Sequence, residues 1–433
     1  MPRRLIAAVV VLAGCGLDVV DLLPGPLVVD GAVARPDLLA ADLAMADLAV
    51  PDFAVGPDLY MPPGGEVQFG GACASSLAAE ALRQALCTCS TLSPGAPLTT
   101  TAIDSTVGGN VDPSRSAAVA SNRSVTIDAP FAISGALVLI DKLTSSDLGL
   151  NSSLVKQSLH VEGDVSLKSR LHVLGDASVG GTISGPQPLV VEGNYHIPVV
   201  GPCPPGHSGC DRDGGGGEDN LVLRDYAALA SPPCDCDPAS IPIAATLADR
   251  ALHNDDGYIG LGVDDLSAVA TARQLELPAG QFYVSAISTS ADLTLSVHGP
   301  AALFVGGAVT LGGALDVLLD AGASLDLVFG GDLTAAAGHV GSSVPPNTKE
   351  QTARVRLWSA AATALKFPQN ITVSAAIHTP LAQLSAPAGL TVSGALLVDS
   401  LALGGPGLSI NFDRALLSIG NRTCGTPVVS SLR

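Results

Sequence analysis

The residues able to do chemistry in this chain are its nine cysteines, two acidic clusters and eight histidines. Cys73, Cys87, Cys89, Cys203, Cys210, Cys234, Cys236 and Cys424 form an even set, and in an oxidising compartment they make up to four disulfides. About 105 pairings are open to eight cysteines, so the sequence leaves the connectivity undecided. Within Cys87/Cys89 and Cys234/Cys236 the sulfurs are placed too awkwardly to bond each other easily, which predicts partners elsewhere in the chain. Zinc is the rival reading, but structural zinc favours Cys-X2–4-Cys spacing and a compartment that keeps thiols reduced. The acidic clusters are Asp211-Arg212-Asp213, leading through glycines to Glu218-Asp219, and His253-Asn254-Asp255-Asp256-Gly257. Calcium takes six to eight oxygens, and Asp211, Asp213, Glu218 and Asp219 are the candidate ligands. Neither cluster has the Asp-X-Asp-X-Asp-Gly spacing with a distal Glu, so a solvated loop is preferred. His160 and His172 recur with a sequence repeat, but each neighbours an inward valine and points outward to solvent. Nucleophile elbows, His-Glu-X-X-His, P-loops and dinucleotide fingerprints are missing, so no residue is assigned to catalysis, no cofactor is implied, and the chain is expected not to be an enzyme.

Cys15 is a different case. Arg3 and Arg4 precede an apolar core from Leu5 to Leu12, too short to span a bilayer, and Leu12-Ala13-Gly14-Cys15 closes it. This segment resembles the bacterial lipobox. The resemblance implies a signal peptide over 1–14 and lipidation of Cys15. It also implies a cell-envelope address, with Gly16 favouring the outer membrane of a Gram-negative bacterium. Losing Arg3 and Arg4 moves the formal charge from −19 to −21, a surface that repels nucleic acid and anionic lipid. Membrane attachment then rests on lipid.

The elements that would position these residues follow. Residues 15–66 read as an acidic tether, with Asp37, Asp42, Asp47 and Asp52 five apart and seven prolines that interrupt helix and strand alike. Its rhythm resembles pentapeptide repeats, but too few copies are present to build a coil. Residues 67–124 read as a cap containing a helix over Ser75 to Leu86, bracketed by Cys73 and Cys87.

From Val125 the pattern changes to short strands. Leu159-His160-Val161-Glu162-Gly163-Asp164 recurs as Leu171-His172-Val173-Leu174-Gly175-Asp176, over an underlying period of six. Val161, Leu167, Val173, Val179 and Val191 keep one register, broken at Gly185. Val297, Leu303, Val309, Leu315, Ala321, Leu327 and Leu333 keep another. Six residues suit one side of a triangular coil, so three sides make a turn of roughly eighteen residues. The predicted fold is mainly β: a parallel β-helix, or β-solenoid, in two parts over 125–200 and 281–424. A Cys-, Gly- and Pro-rich insertion at 201–280 decorates it with a short helix around Ile243 to Leu252, and a tail follows at 425–433. An antiparallel sandwich is the alternative.

Ala375-Ala376-Ile377-His378-Thr379-Pro380, Val392-Ser393-Gly394-Ala395-Leu396 and Asn411-Phe412-Asp413-Arg414-Ala415-Leu416 resemble the closing rungs of an uncharacterised β-helical family found in envelope and pilus-associated proteins. The likeness covers about 290–416 and implies a parallel solenoid without established chemistry. Bactofilins, which are polymer-forming β-helical scaffolds, share the six-residue rhythm. The expected function is therefore a structural or display protein of the envelope, with an envelope protein or polysaccharide as partner. The alternatives are a polysaccharide lyase or hydrolase and a filament subunit. Polysaccharide enzymes grip sugars with basic and aromatic groups, and this chain holds one Trp, five Tyr and 21 Lys plus Arg.

Overall fold

A strand of three residues turns its first and third side chains inward and its second outward, and a three-residue bend closes one side of a triangle. The computed structural model follows that rule. It describes residues 66–105, 117–149, 152–198, 222–343 and 352–419, all within one compact unit, Tyr60–Arg433. Cys15, the tether as far as residue 65, Cys203, Cys210, the cluster Asp211, Asp213, Glu218 and Asp219, and Cys424 lie outside the described residues. Among those described, no helix is long and apolar enough to cross a membrane.

The fold is a parallel β-solenoid of about 12 turns. Val125–Ile127, Phe131–Ile133, Leu137–Leu139, Leu159–Val161 and Leu171–Val173 each bury their outer two residues and leave the middle one half-buried. Val161, Leu167, Val173 and Val179 are fully buried. Gly185 breaks their series because it turns a corner at φ 116°, where a Cβ would lie 2.1 Å from the carbonyl oxygen of Leu167. Val165 pairs with Ile183, Leu171 with Leu189 and Ala177 with Tyr195, so one turn is eighteen residues in this tract. In the C-terminal tract turns are longer: Leu293 pairs with Leu315, Pro300 with Ser324 and Leu315 with Val340. Ala321 is therefore not inward. It lies exposed in the bend after Leu315–Leu319, where the extra residues are accommodated, while Leu327 and Leu333 are buried.

The two tracts are one stack, in an order the chain does not follow. Leu408 of the last C-terminal rung pairs with Leu98, and Leu98 pairs with Phe131. On the next side, Leu396 pairs with Leu86, which pairs with Val119. The chain thus enters at the middle of the stack and climbs to an upper end at residues 183–197, with Val222–Leu223 added above Tyr195–His196. It then returns along the outside to a lower end at 273–289 and climbs back to the middle. Leu86–Thr88, Leu98–Ile103 and Val119–Ser121 are rungs, so the stretch 67–124 is only in part a cap. Helix α1, Ala74–Ala81, stops short of Leu86 because Leu86 is already strand.

The stretch 201–280 is likewise more than a decoration. Val222–Leu223 and Arg273–Leu277 join the stack, and residues 224–272 form a strap along one face. The strap carries α2, Ile243–Arg250, and α3, Asp256–Ile259.

Candidate functional site

The strapped face is built from Gly280–Val284, Pro300–Val305, Ser324–Phe329, Val355–Trp358, the middles of Ile371–Ala386 and Leu390–Leu403, and then Leu86–Thr88 and the rungs above it. On the other faces the outward residue of a three-residue strand, such as Ala132, Leu154 or Ser166, is half-buried or exposed. Here the outward row Phe304, Val328, Trp358, His378, Leu397 and Cys87 is buried. The sequence of this face asks for a second apolar layer, and the strap and the segment 66–82 provide it.

Three sets of contacts hold the strap. Near the upper end Tyr226 stacks on His160 with ring centroids 5.6 Å apart, and Glu162 accepts from the Leu229 amide and lies 3.2 Å from His160. His160 does point outward, but Tyr226 covers it, so it is not a solvated side chain. Those hydrogen bonds hold the Glu162 carboxyl below the usual range against the opposing effect of burial, and burial beside Glu162 pushes the Tyr226 phenol upward. At the middle, the Asn122 amide donates to the Cys234 carbonyl at 2.9 Å and accepts from the Cys234 amide at 3.1 Å. Cys87 bonds Cys234 and Cys89 bonds Cys236, both across 147 residues. Cys73 is disulfide-bonded as well. Toward the lower end α2 packs on the face, and Leu247 lies over Gly330.

Beneath this cover is a buried ionic group. Arg356 donates through Nε and Nη2 to both oxygens of Asp326 at 2.7 Å and through Nη2 to Glu66 at 3.0 Å. The Trp358 indole also donates to Asp326, at 2.8 Å. The two carboxylates hold the guanidinium charged against burial. His378 tilts against Trp358 at 5.4 Å, and neither ring nitrogen has a hydrogen-bond partner among the described residues. Burial pushes it down to about 4, so it is neutral at pH 7.

The exposed polar groups are spent locally. His298 lies 2.6 Å from Glu276 and 2.8 Å from Asp320, bridging three rungs at one corner, and these bonds raise its pKa. His339 bridges Asp316 and Ser374. In the cluster His253–Gly257, Asp255 accepts from the Gln281 amide at 2.7 Å and Asp256 from the Tyr283 amide at 2.8 Å. These carboxylates cap the free edge of the lowest strand on the strapped face rather than lying in a solvated loop. Among the described residues no group of three or more His, Cys, Asp or Glu is arranged to hold a metal ion. A cavity of about 190 Å³ opens at the upper end between Ile183–Leu189 and Tyr195, with no ionisable side chain other than the phenol. Sequence reasoning missed Arg356, Asp326 and His378 as a site; Arg356, two residues before Trp358 in an otherwise apolar strand, was the available signal.

Residues 236–419 match the family model described as a domain of unknown function (DUF7305). No curated protein and no solved structure matches the chain. The matched segment runs from the second strap cysteine through the C-terminal tract to the end of α4, Ala415–Ile419, and leaves the N-terminal rungs outside it.

Proposed function

We propose that this chain is a cell-envelope lipoprotein, anchored through Cys15 in the outer membrane of a Gram-negative bacterium, whose β-solenoid is a structural scaffold that displays surfaces to an envelope protein or polysaccharide. The observation that carries this reading is the pair of long-range disulfides, since such bonds persist in oxidising compartments and are rare in the cytosol. The lipobox-like segment gives the same address independently. Glu66, the first described residue after the tether, bonds Arg356 of the solenoid. The carboxylates that the fold gathers bond backbone amides and histidines, a pattern that suits a scaffold better than polysaccharide cleavage. The capping of the lowest strapped strand by Asp255 and Asp256 weighs against the filament alternative.

Fractionation of a Gram-negative host expressing the chain tests the reading. The wild type should sediment with membranes, with its strap cysteines resistant to alkylation until reduced, and Cys15→Ser should release the product. Retention of Cys15→Ser in membranes would contradict the anchor. Alkylation of the strap cysteines without reductant would contradict the compartment, and turnover of an acidic or neutral polysaccharide by the purified protein would contradict the scaffold.

A further inference from the structure

The two strap disulfides share one rung but not one environment. Cys87 and Cys234 are 2% and 3% exposed, whereas Cys89 and Cys236 are both partly exposed. Thiol–disulfide exchange needs a thiolate to reach a sulfur, so access orders the two bonds. Cys89–Cys236 faces outward past the exposed Asp235 and Asp237, while Cys87–Cys234 lies under the Pro233 carbonyl. The strap is also held separately on both sides of this crossing, by Tyr226 and Leu229 above and by α2 below. Its middle can therefore loosen while its ends remain seated. Under that middle lie Leu397 and the unpartnered ring of His378.

We propose that Cys89–Cys236 is a thiol–disulfide exchange site for a dithiol reductant, opened before Cys87–Cys234 and without unfolding of the solenoid. One thiolate of the dithiol attacks a sulfur of the Cys89–Cys236 bond. That bond breaks, and the electron pair leaves on the other sulfur, which takes up a proton. The second thiolate of the reductant displaces the mixed disulfide. The dithiol is oxidised by two electrons to its own disulfide, and Cys89 and Cys236 remain as two thiols. A second equivalent repeats the exchange on Cys87–Cys234 and frees the middle of the strap. This goes beyond the scaffold reading and depends only on the two bonds and their exposure.

The oxidised full chain is exposed to dithiothreitol in native buffer, quenched at intervals with iodoacetamide, and mapped by peptide mass spectrometry. Cys89 and Cys236 should be alkylated about tenfold or more faster than Cys87 and Cys234, while far-ultraviolet circular dichroism stays that of the native protein. In the double variant Cys89→Ser/Cys236→Ser, reduction of Cys87–Cys234 should be several-fold faster than in the wild type, because the outer bond no longer shields it. Three results would overturn the proposal. The first is equal or reversed order in the wild type, the second is reactivity of all four cysteines only in urea, and the third is an unchanged rate in a folded double variant. If the double variant does not fold, the wild-type order decides alone.

Discussion

Asp176 and Gly193 illustrate how single residues keep the rungs in register. The Asp176 carboxylate accepts from the Asn194 amide one turn above at 2.7 Å, and a Cβ on Gly193 would lie 2.4 Å from the same oxygen. Asp164 with Gly181 and Thr182, and Asp292 with Gly313 and Ala314, repeat the arrangement. Glycine is needed here for close approach between turns. Gly193→Ala should therefore destabilise the protein by about 1–3 kcal/mol in urea denaturation. Gly257→Ala, with open space around the new methyl, should be within about 0.5 kcal/mol of wild type. His378 supplies a second test at this scale. Its folded value of about 4 lies below the ordinary histidine value of 6.5, so the unfolded chain binds more protons between the two. Its contribution is complete above about pH 6.5 and is lost as pH falls toward 4, amounting to a few kcal/mol. In His378→Leu that loss should be missing from the difference in stability between pH 7 and pH 5; equal losses in variant and wild type would show that His378 is not buried neutral.

At the level of strands, the register predicts opposite fates for neighbours. Leu315 is inward and 1% exposed, whereas Asp316 is outward and bonds His339 at 3.2 Å. Leu315→Asp should cost several kcal/mol by burying an unpaired carboxylate, and Asp316→Ala no more than about 1 kcal/mol. Equal melting temperatures would place the strand on the wrong face. This inward row was legible in the sequence because Val297, Leu303, Val309 and Leu315 fall on successive strands, each six residues after the last. Ala321 was misread where the turn lengthened and the count slipped off the strand. The Cys-X-Cys spacing pointed to partners elsewhere but not to which, since pairing is set by where the strap crosses. The strap itself was not legible: periodicity reports which side chains face a core, not which rung stacks on which. His378 and Trp358 could be seen in the sequence, but only the second layer explains why outward residues there are apolar.

For the whole molecule, everything rests on the order of the stack. With roughly 4.8 Å per turn, about 12 turns make a rod of about 55 Å. Its middle is a seam between the first and last rungs of the chain, and the strap ties its upper end to its lower. The seam explains why the disulfides span 147 residues. The direct test is a cross-link across that seam. Thr99 and Ser409 are partners on adjacent parallel strands, and both point outward. At the ordinary strand spacing, cysteines placed at both positions lie within disulfide reach. In the folded protein Thr99→Cys/Ser409→Cys should form an intramolecular disulfide between the two introduced cysteines, identified by peptide mapping, while Thr99→Cys/Thr310→Cys, on distant rungs, should not. A folded protein in which the first pair fails to link, or links no better than the second, would contradict the single spliced stack.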